Sequence, residues 1–205
     1  RTRRGGRVVD PPGAKAAQQR GDMAISTTTI ETETVPGEAI SKERSVRPCA
    51  LVIFGGTGDL AKRKLIPALY NLMREGSLPA SFELVGIGRS AADREAFCAI
   101  HREATAKFSR KKPIEPEVWD QLASRVHYVL GDHESPETYD KLAATLAELD
   151  RTRGTEQNRL FFFSTPPSAF PVILSGLKHR GLLYEAGSQN GKGPFSRVMI
   201  AKPFG

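Results

Sequence analysis

The residues best suited to chemistry lie in one short stretch, Phe54-Gly55-Gly56-Thr57-Gly58-Asp59-Leu60-Ala61-Lys62. Gly56, Gly58 and Ala61 satisfy the spacing G-x-G-x-x-G/A. Glycines at the first two places let a chain turn tightly and bring backbone N–H groups close to a pyrophosphate, and a small residue at the third lets the next helix approach a sheet. The positive end of that helix then faces the anion. The stretch follows the apolar, β-branched run Cys49–Phe54, as a dinucleotide-binding turn requires. The same residues also suit an ordinary glycine-rich turn between strand and helix. A nucleoside-triphosphate loop is disfavoured, because G-x-x-x-x-G-K-[ST] does not occur.

A second group, Gly86-Ile87-Gly88-Arg89-Ser90, bears on which dinucleotide would bind. NAD is usually read by a carboxylate at the end of the second strand, whereas the 2′-phosphate of NADP needs positive charge there. Arg89 and Ser90 suit a phosphate, so NADP is favoured over NAD, with a solvated surface arginine as the plain alternative. Ser164-Thr165-Pro166-Pro167 stands at another strand end. The proline pair stiffens the backbone at a place where a cis bond can form, and serves equally as a rigid turn or as a cofactor contact. Leu130-Gly131-Asp132-His133-Glu134 forms a polar rim without metal-ligand spacing, and no metal is assigned. Lys202 lies at the tip of the last predicted strand.

These groups need a scaffold, and the periodicity of the chain supplies one. Strands are predicted at Cys49–Phe54, Glu83–Ile87, Val126–Leu130, Leu160–Ser164 and Arg197–Ile200. Between them lie helices over Asp59 to about Arg74, Ala92–Phe108, Glu117–Ser124, one opened by Ser135-Pro136, and Ala169–Arg180. In the first helix Leu65, Leu69, Leu72 and Met73 form the expected inward face, Pro67 imposes an irregular first turn, and Gly76 ends it. In the second the expected inward residues are Phe97, Ile100, Ala104 and Phe108. Tyr139, Leu142, Leu146 and Leu149 form the apolar side of the helix after Ser135, and Gly181 stops the last helix. Strands separated by helices of crossover length imply an α/β, Rossmann-like doubly wound parallel sheet with helices on both faces. It occupies residues 49–205. Residues 1–48 are expected to be a disordered or leader segment, with Met23 as an initiator.

Of the net charge of +7 in 205 residues, residues 1–22 carry +4, from six basic and two acidic side chains. The surplus that hints at nucleic acid therefore sits in an unpatterned leader, and no nucleic-acid partner is expected. No apolar run approaches the length of a membrane span. Two cysteines are too few for a disulfide framework, so a reducing, cytoplasmic setting is expected.

The sequence resembles the glucose-6-phosphate dehydrogenase family. The resemblance rests on Ile53-Phe54-Gly55-Gly56-Thr57-Gly58-Asp59-Leu60-Ala61-Lys62, Gly86-Ile87-Gly88-Arg89-Ser90, Asn158 to Pro167, and Lys202-Pro203-Phe204-Gly205. It implies oxidation of the C1 hydroxyl of glucose 6-phosphate with hydride transfer to NADP, the entry step of the oxidative pentose phosphate pathway. It further implies that Gly55, Gly56, Thr57, Gly58, Asp59, Leu60, Ala61 and Lys62 hold the pyrophosphate, and that Arg89 holds the 2′-phosphate. Asp132 and His133 would lie beside the adenosine half. Pro166 would touch the cofactor, Lys202 would reach both nicotinamide and substrate, and Pro203 would shape the hinge. Ala201 stands where the family carries Glu, and Phe170 where some relatives carry Tyr. The family's general-base His lies in a second domain beyond K-P-F-G, so these 205 residues are expected to be inactive alone and homo-oligomeric only at full length. A stand-alone NADP-binding module is the alternative.

Overall fold

The computed structural model describes residues 47–184 and 193–200. The expected leader and Ala201–Gly205, including Lys202 and Pro203, lie outside the described residues.

Five parallel strands form one sheet: β1 (Cys49–Phe54), β2 (Phe82–Gly88), β3 (Val126–Leu130), β4 (Arg159–Phe163) and β5 (Ser196–Ile200). Their order is β3-β2-β1-β4-β5. The chain builds outward from β1 to β3 and then returns to place β4 on the other side of β1. That reversal opens a crevice at the carboxyl ends of β1 and β4, where ligands bind in sheets of this kind.

Every residue of β1 is buried, because alternate side chains feed two separate cores. Ala50, Val52 and Phe54 join α4 (Pro136–Arg153) and α5 (Phe170–His179), through Tyr139, Leu142, Leu146, Ile173 and Leu177. Cys49, Leu51 and Ile53 join α1 (Ile66–Arg74), α2 (Arg94–Phe108) and α3 (Pro116–Ala123), through Ile66, Tyr70, Phe97 and Trp119. The expected layers are present over β1, β2 and β4. At the edge, β5 remains open, with Val198, Met199 and Ile200 exposed.

Two predicted helix faces are corrected. Ahead of α1 a π-helical turn spans Ala61–Leu65, and the Ile66 N–H bonds to the Ala61 carbonyl five residues back. Pro67 has no N–H for regular bonding, which accounts for the irregular turn expected there. The extra residue rotates the helix, so the inward line from Ala61 runs to Ile66, Leu69 and Tyr70. Leu65 is only half-buried and Leu72 is exposed. In α2 the buried line is Phe97, His101 and Thr105, whereas Ile100, Ala104 and Phe108 are half-buried. Two polar side chains thus occupy positions that an apolar-periodicity argument passes over. The Ser135 hydroxyl does not cap α4 by accepting an N–H; it donates to the Glu137 carboxylate, and the Ser135 carbonyl accepts from the Thr138 N–H (3.1 Å). Gly76 and Gly181, both at positive φ, end their helices as expected.

Asn158 and Arg159 lock the amino end of the sheet. The Asn158 amide donates to the Pro48 carbonyl (2.7 Å) and its side-chain oxygen accepts from Phe195 N–H (3.2 Å). Buried Arg159 pairs with Asp150.

Gly86 in β2 leaves the space that the Phe97 ring fills; a Cβ there would collide with that ring. Gly86→Ala is therefore expected to destabilise the fold by about 1–3 kcal/mol through overpacking. In urea unfolding, adding Phe97→Leu to Gly86→Ala should recover part of that loss, whereas strictly additive losses would refute the contact.

Candidate functional site

The turn after β1 lies at the head of the crevice. Gly55 has φ +76°, in the left-handed region, and a Cβ on it would stand 2.5 Å from the Ser164 carbonyl oxygen. The Gly56 N–H donates to the Ile87 carbonyl (2.7 Å). The Gly58 N–H closes the turn on the Gly55 carbonyl (2.9 Å), and the Gly58 carbonyl then accepts from the Lys62 N–H (3.1 Å) to open the helix. Helical conformation begins at Asp59, so the N–H groups of the first turn have no intrahelical acceptor and carry the positive end of the helix dipole. Buried Ala61 permits the close approach of helix to sheet that its small size predicts. Exposed Asp59 pairs with Arg63 (3.7 Å).

Sequence reasoning missed a further participant, His101. Its ring is 1% exposed, and Nε2 lies 2.9 Å from the Gly56 carbonyl oxygen. A carbonyl can only accept, so Nε2 carries the hydrogen. Burial lowers the His101 pKa to about 4, helped by the charge of Lys62 and opposed by the bond to Gly56. The available signal was its place one helical turn after Phe97, opposite the glycines.

Beyond β2, Arg89 extends with its side chain 74% exposed, and its Nη1 donates to Asp132 Oδ2 (2.8 Å) across the end of β3. Asp132 is held in turn by the Glu134 N–H (3.1 Å) and lies 3.2 Å from His133 Nδ1. The Glu134 N–H, His133 and Arg89 together keep the Asp132 carboxyl below the usual range. The His133 carbonyl accepts from the Tyr139 hydroxyl (2.6 Å). A Cβ on Gly88 would stand 2.7 Å from Thr57 Oγ1, so the ends of β1 and β2 also touch. After β4, Pro166 is exposed and both bonds of the proline pair are trans, which corrects the place offered for a cis bond. Ser164 Oγ and Thr165 Oγ1 are buried without a hydrogen-bond partner among the described residues.

The structure therefore gathers Gly55–Lys62, Arg89, Asp132, His133 and Pro166 at one edge of the sheet, and the Lys202 position lies outside the described residues. A glycine-tight turn, a helix N-terminus, two hydroxyls lacking partners and an exposed guanidinium fit the phosphates and sugars of a dinucleotide. Among the described residues no cluster of His, Cys, Asp or Glu could hold a metal ion. No helix there is long and apolar enough to cross a membrane.

The strand order and the turn at its reversal point define a dinucleotide-binding domain of the Rossmann type. The family model described as "Glucose-6-phosphate dehydrogenase, NAD binding domain" matches residues 52–205. The chain belongs to the glucose-6-phosphate dehydrogenase family. Glucose-6-phosphate 1-dehydrogenase of Chlamydia muridarum is 43% identical over 77% of this chain and 31% of its own length. That of Chlamydia pneumoniae is 41% identical over 87% and 34%. The crystal structure of glucose-6-phosphate 1-dehydrogenase from Mycobacterium avium aligns with a TM-score of 0.63 at 29% identity, covering 77% of this chain and 30% of that one. A glucose-6-phosphate dehydrogenase solved in complex with its substrate glucose 6-phosphate aligns with a TM-score of 0.64 at 31% identity, covering 78% and 31%. The chain spans about a third of the length of the curated relatives it matches.

Burial of neutral His101 makes a testable demand. The folded state resists protonation down to about pH 4, while an unfolded histidine takes up a proton near pH 6.5. Its contribution is therefore fully present above pH 6.5 and is lost as pH falls toward 4, by about 3 kcal/mol at most. Denaturant melts across that window should show a shallower acid decline for His101→Gln than for the parent chain; parallel declines would contradict the assignment.

Proposed function

We propose that this chain is the coenzyme-binding part of a glucose-6-phosphate dehydrogenase and takes NADP. The observation that carries the reading is the exposed Arg89 guanidinium at the end of β2, beside a glycine turn at the reversal point of the sheet. Gly55 to Lys62 would hold the pyrophosphate by backbone N–H groups. Arg89 would hold the 2′-phosphate, with Asp132 fixing Nη1 so that the rest of the fork faces outward. His133 would border the adenosine half. Thr165 and Pro166 would face the part of the cofactor that crosses β4, and Lys202 would contact both nicotinamide and substrate.

The bound nicotinamide supplies the hydride acceptor for C1 of glucose 6-phosphate, and the proton of the C1 hydroxyl must leave to a base as the lactone forms. The histidines of the described residues have other partners. His101 holds the turn, His127 pairs with Glu83 (2.8 Å), and His179 bonds to the Ser175 carbonyl (2.7 Å). His133 sits against Asp132. The reading is thus of a chain that binds cofactor and by itself lacks the base.

Titration calorimetry should show Arg89→Ala weakening NADP+ by about 10- to 100-fold, the weight of a charge-assisted hydrogen bond, with NAD+ within about twofold. Equal losses for both dinucleotides would sink the role of Arg89. A second measurement addresses turnover: the purified 205-residue chain given glucose 6-phosphate and NADP+ should accumulate no NADPH. Sustained NADPH formation would refute the missing base.

A further inference from the structure

The Gly56–Thr57 peptide is restrained from the side of α2. Its carbonyl accepts from His101 Nε2–H at 2.9 Å, while the preceding Gly56 N–H is held by the Ile87 carbonyl at 2.7 Å. The peptide is trans, so the Thr57 N–H points opposite to that carbonyl, away from α2. Ser164 and Thr165, at the end of β4, stand against the same turn, within 3.3 Å of a Cβ placed on Gly55. The Thr57 N–H therefore faces away from His101. A hydrogen bond received at the carbonyl also polarises the amide and strengthens its N–H as a donor.

His101 is itself held firmly. Its ring lies 4.3 Å from that of Phe97, which occupies the space left by Gly86 and stacks on Tyr128 at 4.9 Å. Nδ1 of His101 is buried without a partner among the described residues, so the ring's one polar engagement there is the turn. A histidine at that depth, with Nδ1 unsatisfied, costs stability that an apolar residue would not.

We infer that His101 is a positioning residue for the dinucleotide pyrophosphate, holding the Gly56 carbonyl so that the Thr57 N–H is presented to the phosphate. The inference rests on the reading of the glycine turn as the pyrophosphate cradle. It assigns His101 no contact with the cofactor.

The test compares binding of NADP+ with that of 2′-AMP, which keeps the 2′-phosphate and lacks the pyrophosphate, in the 205-residue chain and three variants. His101→Phe and His101→Asn, the latter too short to reach Gly56, should weaken NADP+ about tenfold, the effect of one hydrogen bond on an anion-binding turn. Both should leave 2′-AMP within about twofold. His101→Gln can offer an N–H at the same reach and should bind NADP+ within about threefold of the parent. Should His101→Phe fail to fold, the Asn and Gln pair decides by itself. Unchanged NADP+ binding in Asn, equal losses of NADP+ and 2′-AMP, or failure of Gln to restore binding would overturn the inference while leaving the cofactor reading in place. Failure of the parent chain to bind NADP+ would overturn both.

Discussion

The turn after β1 approaches two neighbouring backbones at once. A Cβ on Gly55 would stand 2.5 Å from the Ser164 carbonyl oxygen, and one on Gly56 would stand 3.1 Å from Gly86 Cα. This double approach is possible only because β1 is the centre of the sheet, with β2 and β4 as its parallel neighbours. The ends of three strands converge there, and side chains that would separate them are missing where they meet. Backbone N–H groups can then gather around one point, which is the physical requirement for binding a pyrophosphate.

The close approach transmits its demands into both cores. On one face Gly86 makes room for Phe97, Phe97 sets the His101 ring, and His101 bonds back to Gly56. On the other, Phe54 packs edge-on against Phe163 at 5.6 Å and near Tyr139 at 6.2 Å, and the Tyr139 hydroxyl reaches the His133 carbonyl at the rim. The polar rim is therefore placed by buried aromatic residues beneath it. At the opposite end of the sheet, Asn158, Arg159 and Asp150 close the amino edge. Asn158 and Arg159, which belong to the stretch that carries the family resemblance, thus serve the architecture of the domain at the end of the sheet opposite the glycine turn.

Charge at the rim is paired without being enclosed. Arg89 is tied to Asp132 by one nitrogen and is otherwise open, so its guanidinium is oriented while most of it stays accessible. Asp132 is in turn oriented by the Glu134 N–H, which keeps the carboxylate ionised beside Arg89. The proposed 2′-phosphate site would thus hold a carboxylate that is already paired with Arg89.

The five strands, their parallel arrangement, the glycine turn and the candidate role of Arg89 were legible in the amino-acid sequence, because each leaves a local mark. Those marks are continuous apolar runs for strands buried on both faces, glycine where the chain must turn closely, and positive charge at a strand end. What lay beyond local reading depended on rotation and on contacts between distant segments. The π turn at Ala61–Leu65 shifts the inward face of α1 by one residue, and no apolar pattern records that shift. His101 stands 45 residues from Gly56, and its importance appears only when α2 packs against the turn. The same holds for the Arg89–Asp132 pair, joined across the ends of β2 and β3. The sequence by itself determined which chemistry was available and on what kind of sheet; the tertiary structure decided which polar groups meet, because hydrogen bonds over 2.7–2.9 Å require positions that only packing sets.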